Sequence, residues 1–425
     1  MILTHAHWLT ADGTFQEGSI LVEQGRIRLE PGDPGPEPGP DVLDATGSLV
    51  LPGLVDPHVH LRQPGQSGKE GVANGSRAAA AGGITTLLDM PNDRPPTTTA
   101  ARVAAKAAIF RQRCRVHWGL HVQASRRPVD VDPSIVASAK LYMARGSPAP
   151  AIRDPDGVEA VLRRWPRVTV HAEDEARFDP QRRPHDLARP REAVVAALAT
   201  LESALRRIPE PRRPRLVLCH ASTREEVAWV RRLKAEGFDL WGETCPHYLV
   251  FTADDAHRAG ARLQVNPPIR EPADREALLE AVSDGALDWI GTDHAPHRLA
   301  EKTGPNPPSG IAGAEWALPL LLRLRDRGIL SWRRLVEVGC ARAATCYGIA
   351  GRDGIREGAV ADLVLVRPSR MPQSEPPVTR AGIHPYQDVP LDWQVQATVV
   401  GGVVVYRDGV FPEFQGELPG RRVIP

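Results

Sequence analysis

The chain has 425 residues, a formal net charge of +1 and a hydrophobic fraction of 42%. These values are typical of a globular protein, and the lack of a long run of one charge argues against nucleic acid or an anionic membrane as the main partner. No apolar stretch approaches the about 20 residues of a membrane span, and no signal-peptide pattern is found. Because the five cysteines form no Cys-x-x-Cys pair, we expect reduced cysteines and a cytoplasmic location.

Both ends of the chain show the pattern of antiparallel β-strands. Near the start, "GSILVEQGRIR" and "SLVLPG" alternate apolar and polar residues between turns, and "GAVADLVLVRP" and "VQATVVGGVVVYRDG" do the same near the other end. We expect the two ends to pair into one small composite β-sandwich domain, formed by residues 1–51 and 350–425.

The intervening residues, 52–349, alternate short apolar runs with helical segments. "REAVVAALATLESALRRI" and "TREEVAWVRRLKAEG" are two of the helical segments. The apolar runs predict strands near Leu54–His60, Ile84–Met90, Val116–His121, Ala139–Met143, Val168–His171, Leu216–His220, Phe238–Glu243 and Trp289–Asp293. Eight successive βα repeats predict an α/β fold, a (β/α)8 TIM-like barrel.

Polar side chains collect where the predicted strands end. The first strand ends in His58-x-His60-x-Arg62, and the later positions are Asn92, Lys140, His171, His220, Asp293 and His297. In a parallel barrel the carboxyl ends of all strands open on one face, where active sites are found. We therefore expect these side chains to share one site.

Part of this set has the chemistry of a metal centre. The candidate ligands are His58, His60, His171, His220 and Asp293. Imidazole and carboxylate donors suit zinc, iron or manganese, and residues two apart in a strand share a face, so His58 and His60 can reach one ion. His247, in "TCPHYL", is a candidate donor behind the ligands rather than a ligand.

Lys140 lies at the end of the fourth predicted strand, between the strands that carry the candidate histidine ligands. Two interpretations of this lysine are open. A neutral lysine amine adds carbon dioxide to give a carbamate, whose two oxygens can bridge two ions. Alternatively, Lys140 is a core lysine held by a salt bridge. The chain has only five lysines among 53 basic residues, so a lysine kept at this position favours a functional role.

The motifs taken together resemble a known family. "DPHVHLRQPG", "GGITTLLDMPN", "KLYM", "VHAED", "VNPPIR" and "GTDHAPH…SGIAG" occur in the order found in class I-like dihydroorotases of the amidohydrolase superfamily, across nearly the whole chain. His-x-His and "TDHAPH" mark only the superfamily. Arg62 is the specific mark, because allantoinases typically have Asn there and hydantoinases lack the "HLR" pattern.

The resemblance implies a role for each matched residue. It implies one zinc on His58, His60 and Asp293, a second on His171 and His220, and N6-carboxylated Lys140 as the bridge between them. It implies that Arg62 and Asn92 hold the substrate carboxylate, and that the pyrimidine ring contacts Asn266, His297, Ser309 and Gly310. One departure stands out: many bacterial relatives have "FSDDG" where this chain has "KLYMARGS", a pattern nearer that of the lysine-bearing dihydroorotases.

The implied activity is the reversible cyclisation of N-carbamoyl-L-aspartate to (S)-dihydroorotate and water in de novo pyrimidine biosynthesis. Asp293 is then the general acid and base of a binuclear zinc-hydroxide mechanism. The resemblance also implies a homodimer and association with aspartate transcarbamoylase. Two alternatives remain: another cyclic amidase, an allantoinase or a hydantoinase, or a non-catalytic relative that serves aspartate transcarbamoylase as a scaffold.

Overall fold

The computed structural model describes residues 1–33, 35–36, 39, 41–126, 130–146, 148–368, 376–414 and 418–424. Part of the predicted composite domain, residues 34, 37–38, 40, 369–375, 415–417 and 425, lies outside the described residues. The strands are β1 (Ile2–Leu9), β2 (Phe15–Glu23), β3 (Arg26–Pro31), β4 (Val42–Asp44), β5 (Leu49–Pro52), β6 (Leu54–Val59), β7 (Ile84–Asp89), β8 (His117–Leu120), β9 (Val122–Gln123), β10 (Ala139–Tyr142), β11 (Arg167–His171), β12 (Arg215–Leu218), β13 (Leu240–Thr244), β14 (Trp289–Ile290), β15 (Leu363–Pro368), β16 (Trp393–Val400) and β17 (Val403–Arg407).

Helices connect most of the strands between β6 and β14, and four further helices within the described residues follow β14. They are α1 (Val72–Ala81), α2 (Ala100–Arg113), α3 (Pro155–Arg164), α4 (His185–Ala188), α5 (Arg191–Arg206), α6 (Arg224–Ala235), α7 (Pro246–Val250), α8 (Ala253–Ala259), α9 (Pro272–Asp284), α10 (Leu299–Lys302), α11 (Ala317–Asp326), α12 (Trp332–Val336) and α13 (Arg342–Tyr347). The start of α6 shows why the sequence folds this way. Thr223 and Glu226 form a reciprocal capping box, and Val227, Val230 and Leu233 then recur on one buried face.

The two ends of the chain share one mixed sheet, in the order β17-β16-β15-β5-β1-β2-β3, with β4 beside β1. β15 pairs antiparallel with β5, placing Leu365 opposite Val50. The inner face of this mixed sheet packs on a hydrophobic core that is separate from the barrel core, in which Trp8 and Leu363 are fully buried. The ends of the chain therefore pair as expected, whereas the exact domain limits remain a prediction.

The strands from β6 to β14 are parallel and follow one another in chain order. β6, β7 and β8 pair in sequence, β9 to β14 form a second run, and only His121 separates β8 from β9. A parallel bridge between Val59 and His294 joins the last segment to β6. This order is that of a closed (β/α)8 barrel, and the predicted fold class is confirmed. No helix in the described ranges is long and apolar enough to cross a membrane.

Several strands end earlier than the sequence predicts. The eighth was expected to reach Asp293, but β14 ends at Ile290, and β12 ends at Leu218, before His220. The cause is the backbone: φ is +39° at His220 and +45° at Asp293, which leaves the extended conformation. His220 and Asp293 therefore lie on turns just beyond their strands, whereas His58, Lys140 and His171 lie within theirs.

Candidate metal and substrate site

The predicted site residues lie around one cavity at the carboxyl ends of the barrel strands. Its volume is about 400 Å³. All of the predicted side chains line it, namely His58, His60, Arg62, Asn92, Lys140, His171, His220, Asn266, Asp293, His297, Ser309 and Gly310. The structure thus brings together residues that are more than two hundred positions apart in the chain, as expected for one face of a parallel barrel.

One half of the cavity floor consists of His58, His60 and Asp293. The Asp293 Oδ1 atom lies 3.0 Å from His60 Nε2 and 3.3 Å from His58 Nε2. The other ring nitrogens point away from this centre, with His58 Nδ1 2.6 Å from Glu243 Oε1 and His60 Nδ1 2.6 Å from Asn92 Oδ1. An Nδ1–H on each ring would leave both Nε2 lone pairs directed at the same point, which is the arrangement a metal ion needs.

The other half of the floor consists of His171 and His220. His171 Nδ1 lies 3.0 Å from His220 Nε2, and His171 Nε2 lies 2.9 Å from Glu173 Oε2. Glu173 in turn accepts from Arg189. Burial alone would raise the pKa of Glu173, but the Arg189 guanidinium holds it well below its usual range. The ionised carboxylate therefore fixes the His171 Nε2–H and leaves Nδ1 free to bind an ion.

Burial keeps most of these imidazoles neutral. It lowers the pKa of His60 to about 4 and the pKa of His220 well below its usual value. Burial alone would raise the pKa of Asp293, yet the neighbouring His58 and His60 hold it well below its usual range. His60 and His220 thus offer neutral nitrogens beside an ionised carboxylate, the protonation states in which these groups bind metal. At His58 burial alone would lower the pKa, but the neighbouring Glu243 carboxylate raises it to about 10.

The turns that carry the site hold unusual backbone conformations. Three of the six non-glycine residues with positive φ in the described ranges are Arg62 (+60°), His220 and Asp293. The Asp89 carboxylate holds the turn at Arg62 in place. It accepts from the Leu61 backbone N–H at 2.7 Å and forms an ion pair with buried Lys106. Such left-handed residues cost of order 1 to 3 kcal/mol each and persist where the surroundings hold them.

Lys140 is buried between the two halves of the floor. Its ammonium Nζ lies 2.9 Å from Cys219 Sγ and 5.5 Å from the centre of the Tyr142 ring. No ion pair between Lys140 and a carboxylate is found within the described part of the chain, so the structure offers no support for a salt-bridged core lysine. The position is compatible with a bridging carbamate.

Arg62 and His297 form the wall above the floor. The Arg62 guanidinium lies 3.2 Å from His297 Nε2, while its buried Nε has no hydrogen-bond partner. Burial lowers the pKa of Arg62, although a guanidinium stays charged. Asn92, expected beside Arg62 on the substrate, uses its amide to join His60 to the Gly146 carbonyl.

The remaining predicted contacts, Asn266, Ser309 and Gly310, line the rest of the cavity wall. Asn266 Oδ1 lies 2.9 Å from His185 Nε2, which the sequence analysis did not select. Gly310 has φ +128°, and a Cβ there would meet the Ala295 carbonyl oxygen at 2.5 Å. Glycine is thus required at this position for two independent reasons.

The most important group that sequence reasoning missed is Glu243. Its carboxylate accepts from His58 Nδ1, from the His220 backbone N–H at 3.1 Å and from Trp289 Nε1 at 2.9 Å. It thus links both halves of the cavity floor to the last barrel strand. An acid at the end of an otherwise apolar strand was the available signal. His247 is fully buried, and neither ring nitrogen has a partner among the described residues.

Comparison with known proteins agrees with this geometry. The sequence model of the Amidohydrolase family matches residues 49–177 and 222–405. The chain belongs to the amidohydrolase family. It is 38% identical over 335 residues to a dihydroorotase of Halobacterium salinarum, covering 75% of this chain and 77% of the relative.

Other relatives carry different names. An allantoinase of Rubrobacter xylanophilus is 36% identical over 402 residues, covering 87% of this chain and 88% of the relative. Among solved structures, the L-hydantoinase (dihydropyrimidinase) of Arthrobacter aurescens superposes with a TM-score of 0.87 at 26% identity, covering 100% of this chain and 99% of that one. The family and its hydrolase chemistry are therefore shown, whereas these names alone leave the substrate open.

Proposed function

We propose that this protein is a dihydroorotase, which interconverts N-carbamoyl-L-aspartate and (S)-dihydroorotate plus water in de novo pyrimidine (UMP) biosynthesis. The observation that carries the proposal is Arg62. Its guanidinium faces the cavity with an unpartnered buried Nε, and its nearest polar contact is the neutral ring of His297. A desolvated cation without an anion is unfavourable, and a substrate carboxylate gripped by both arms of the guanidinium supplies the missing charge.

The floor of the cavity fits two divalent ions. The residues that would hold them are His58, His60 and Asp293 on one side and His171 and His220 on the other, with Lys140 between. Nitrogen and oxygen donors of this kind favour zinc, and carboxylates behind the rings fix their orientation. When bound, zinc supplies hydroxide near neutral pH and polarises the ring carbonyl.

Asp293 is the proton carrier in this proposal. Among the described residues that line the cavity, Asp293 is the only one with a carboxylate. Because its pKa is held low, it is ionised and can take the proton of the attacking hydroxide. It then delivers that proton to the ring nitrogen that leaves, and the reverse sequence closes the ring.

Lys140 would be a ligand to both ions once its neutral amine had added carbon dioxide and lost a proton. An ammonium without a carboxylate partner is unfavourable in the barrel interior, and carboxylation replaces it by an anion with two oxygen donors. Protein prepared with ¹³C-labelled bicarbonate should show one carbamate carbon resonance that is absent from Lys140→Ala. If wild-type protein at full zinc content shows no such resonance, Lys140 is not the bridge.

The second candidate is a cyclic amidase for an uncharged ring, supported by the allantoinase and hydantoinase names among the relatives. It accounts equally well for the proposed metal ligands but gives the Arg62 guanidinium no ion-pair partner. A non-catalytic scaffold is less well supported, because every expected ligand position is filled and lines one cavity. The cytoplasmic location, the homodimer and the association with aspartate transcarbamoylase belong to the dihydroorotase proposal.

A parallel assay of dihydroorotate, allantoin and hydantoin on zinc-loaded protein tests the proposal. We expect kcat/KM for dihydroorotate to exceed the other two values by at least about 100-fold, the effect of one paired charge. Equal or greater activity on allantoin or hydantoin would overturn it in favour of the second candidate. A protein that binds no metal and turns over none of the three would support the scaffold.

A further inference from the structure

The wall of the cavity contains a second cation, Lys69, which neither the sequence motifs nor the proposed mechanism use. Its Nζ lies 3.0 Å from His297 Nδ1 and 2.7 Å from Glu301 Oε1. Its side chain is only 22% exposed. Since basic positions in this chain are nearly all arginine, a lysine beside a predicted substrate contact calls for a physical reason.

His297 lies between two cations that both present N–H groups to it. Lys69 faces Nδ1, and the Arg62 guanidinium faces Nε2 at 3.2 Å. Burial, followed by the charges of Arg62, Lys69 and Lys302, lowers the pKa of His297 to about 2, against a weaker opposing hydrogen bond to the Ser309 backbone. The ring is therefore neutral, and a neutral imidazole has one N–H and one lone pair. Only one of the two cations can donate to it.

The surroundings favour Lys69 as the donor. Glu301 anchors the ammonium, whereas Arg62 has no carboxylate partner within the described ranges and an orphaned Nε. The opposite tautomer would place an N–H on Nδ1 against the ammonium, with its nearest carboxylate oxygen, Glu301 Oε2, at 3.9 Å. That distance is too long for a hydrogen bond.

We propose that Lys69 is a positioning residue that fixes the tautomer of His297, so that Nε2–H points into the cavity and donates to the substrate. This inference rests on the proposed function, because the group that best receives this N–H beside Arg62 is a substrate carboxylate. When substrate binds, the Arg62 guanidinium turns away from His297 and donates to the same carboxylate. In the free protein the Arg62 N–H and the His297 Nε2–H face each other, and the substrate carboxylate then accepts from both. Lys69 acts through His297 and not on the substrate.

The tautomer can be measured without substrate. Long-range ¹H–¹⁵N spectra of ¹⁵N-histidine-labelled protein distinguish a protonated Nε2 from a protonated Nδ1, and loss of one ring in His297→Gln assigns the signals. We expect Nε2–H in the wild type and a mixture of tautomers in Lys69→Met, while Lys69→Arg keeps Nε2–H. A wild-type ring with the proton on Nδ1 would overturn the inference, whatever reaction the protein catalyses.

Kinetics separate positioning from a direct contact. Lys69→Met should raise KM for dihydroorotate about tenfold, the loss of one hydrogen bond to a charged group, with kcat and zinc content within twofold of wild type. In a His297→Gln background, where an amide N–H replaces Nε2–H regardless of tautomer, the same substitution should change KM by less than threefold. Arg327→Met, which removes an exposed cation outside the cavity, is the matched control.

The outcomes are distinguishable. If Lys69→Met raises KM equally in both backgrounds, Lys69 contacts the substrate itself and the positioning role is wrong. If it leaves KM unchanged in the wild-type background, the residue has no role in binding. If wild-type protein does not turn over dihydroorotate, the proposed function fails, and the tautomer measurement still decides the role of Lys69.

Discussion

Replacement of Arg62 by methionine tests most directly whether Arg62 binds the substrate carboxylate. It should weaken substrate binding and at the same time raise the stability of the free protein. Methionine keeps an unbranched chain of similar length but removes the charge and all five donors. The left-handed backbone at this residue, φ +60°, is strained for arginine and methionine alike. The proposed metal ligands His58 and His60 are unchanged, so zinc content should remain that of the wild type.

The magnitudes follow from the contacts of the guanidinium. A substrate carboxylate held by two charge-assisted hydrogen bonds is worth about 3 kcal/mol or more, so KM should rise at least about 100-fold. In the free protein the buried Nε has no partner, and removal of an unsatisfied buried group relieves about 1 kcal/mol. For a chain of this length that gain corresponds to a rise in Tm of about 1 to 2 °C.

The assay combines steady-state kinetics on dihydroorotate, scanning calorimetry and zinc analysis of the same preparations. Arg62→Lys is the matched control, since it keeps the charge but loses the planar fork, and its KM should rise about 10- to 100-fold. If Arg62→Met keeps KM within threefold of the wild type, Arg62 does not bind the substrate carboxylate. If its Tm falls instead of rising, the orphaned guanidinium does not destabilise the free protein.

Three further substitutions probe the site. Asp293→Ala should lower kcat by at least about 1,000-fold with the fold intact by circular dichroism, and retention of a tenth of kcat would remove Asp293 as the proton carrier. Glu243→Gln should weaken zinc binding about 10- to 100-fold in chelator competition, because the carboxylate orients His58; wild-type affinity would contradict that role. Burial lowers the pKa of His247 from 6.5 to about 4, so the unfolded chain binds more protons and stability falls by up to about 3 kcal/mol as the pH drops through that window. His247→Leu should flatten this dependence in denaturant titrations at stepped pH, and an unchanged slope would refute the assignment.

Most of the fold was predictable because local pattern and chain order are enough to define it. The buried run from Leu54 to Val59 and the amphipathic repeat of α6 are each recognisable from a few adjacent residues. Strand limits were less predictable. At His220 and Asp293 the backbone has a positive φ, which these residue types adopt more often than most but which the residue type alone does not require.

The sequence by itself determined which groups lie together, because the carboxyl ends of parallel strands share one face of the barrel. His58, His60 and Arg62 could therefore be placed beside Asp293 from the sequence alone. Only the tertiary structure decided how each group is held. Glu243 reaches His58 across 185 positions and Lys69 reaches His297 across 228. Such contacts depend on how turns and helices close around the barrel, which local periodicity does not encode. They determine which nitrogen of each imidazole faces the cavity, and through it the chemistry available there.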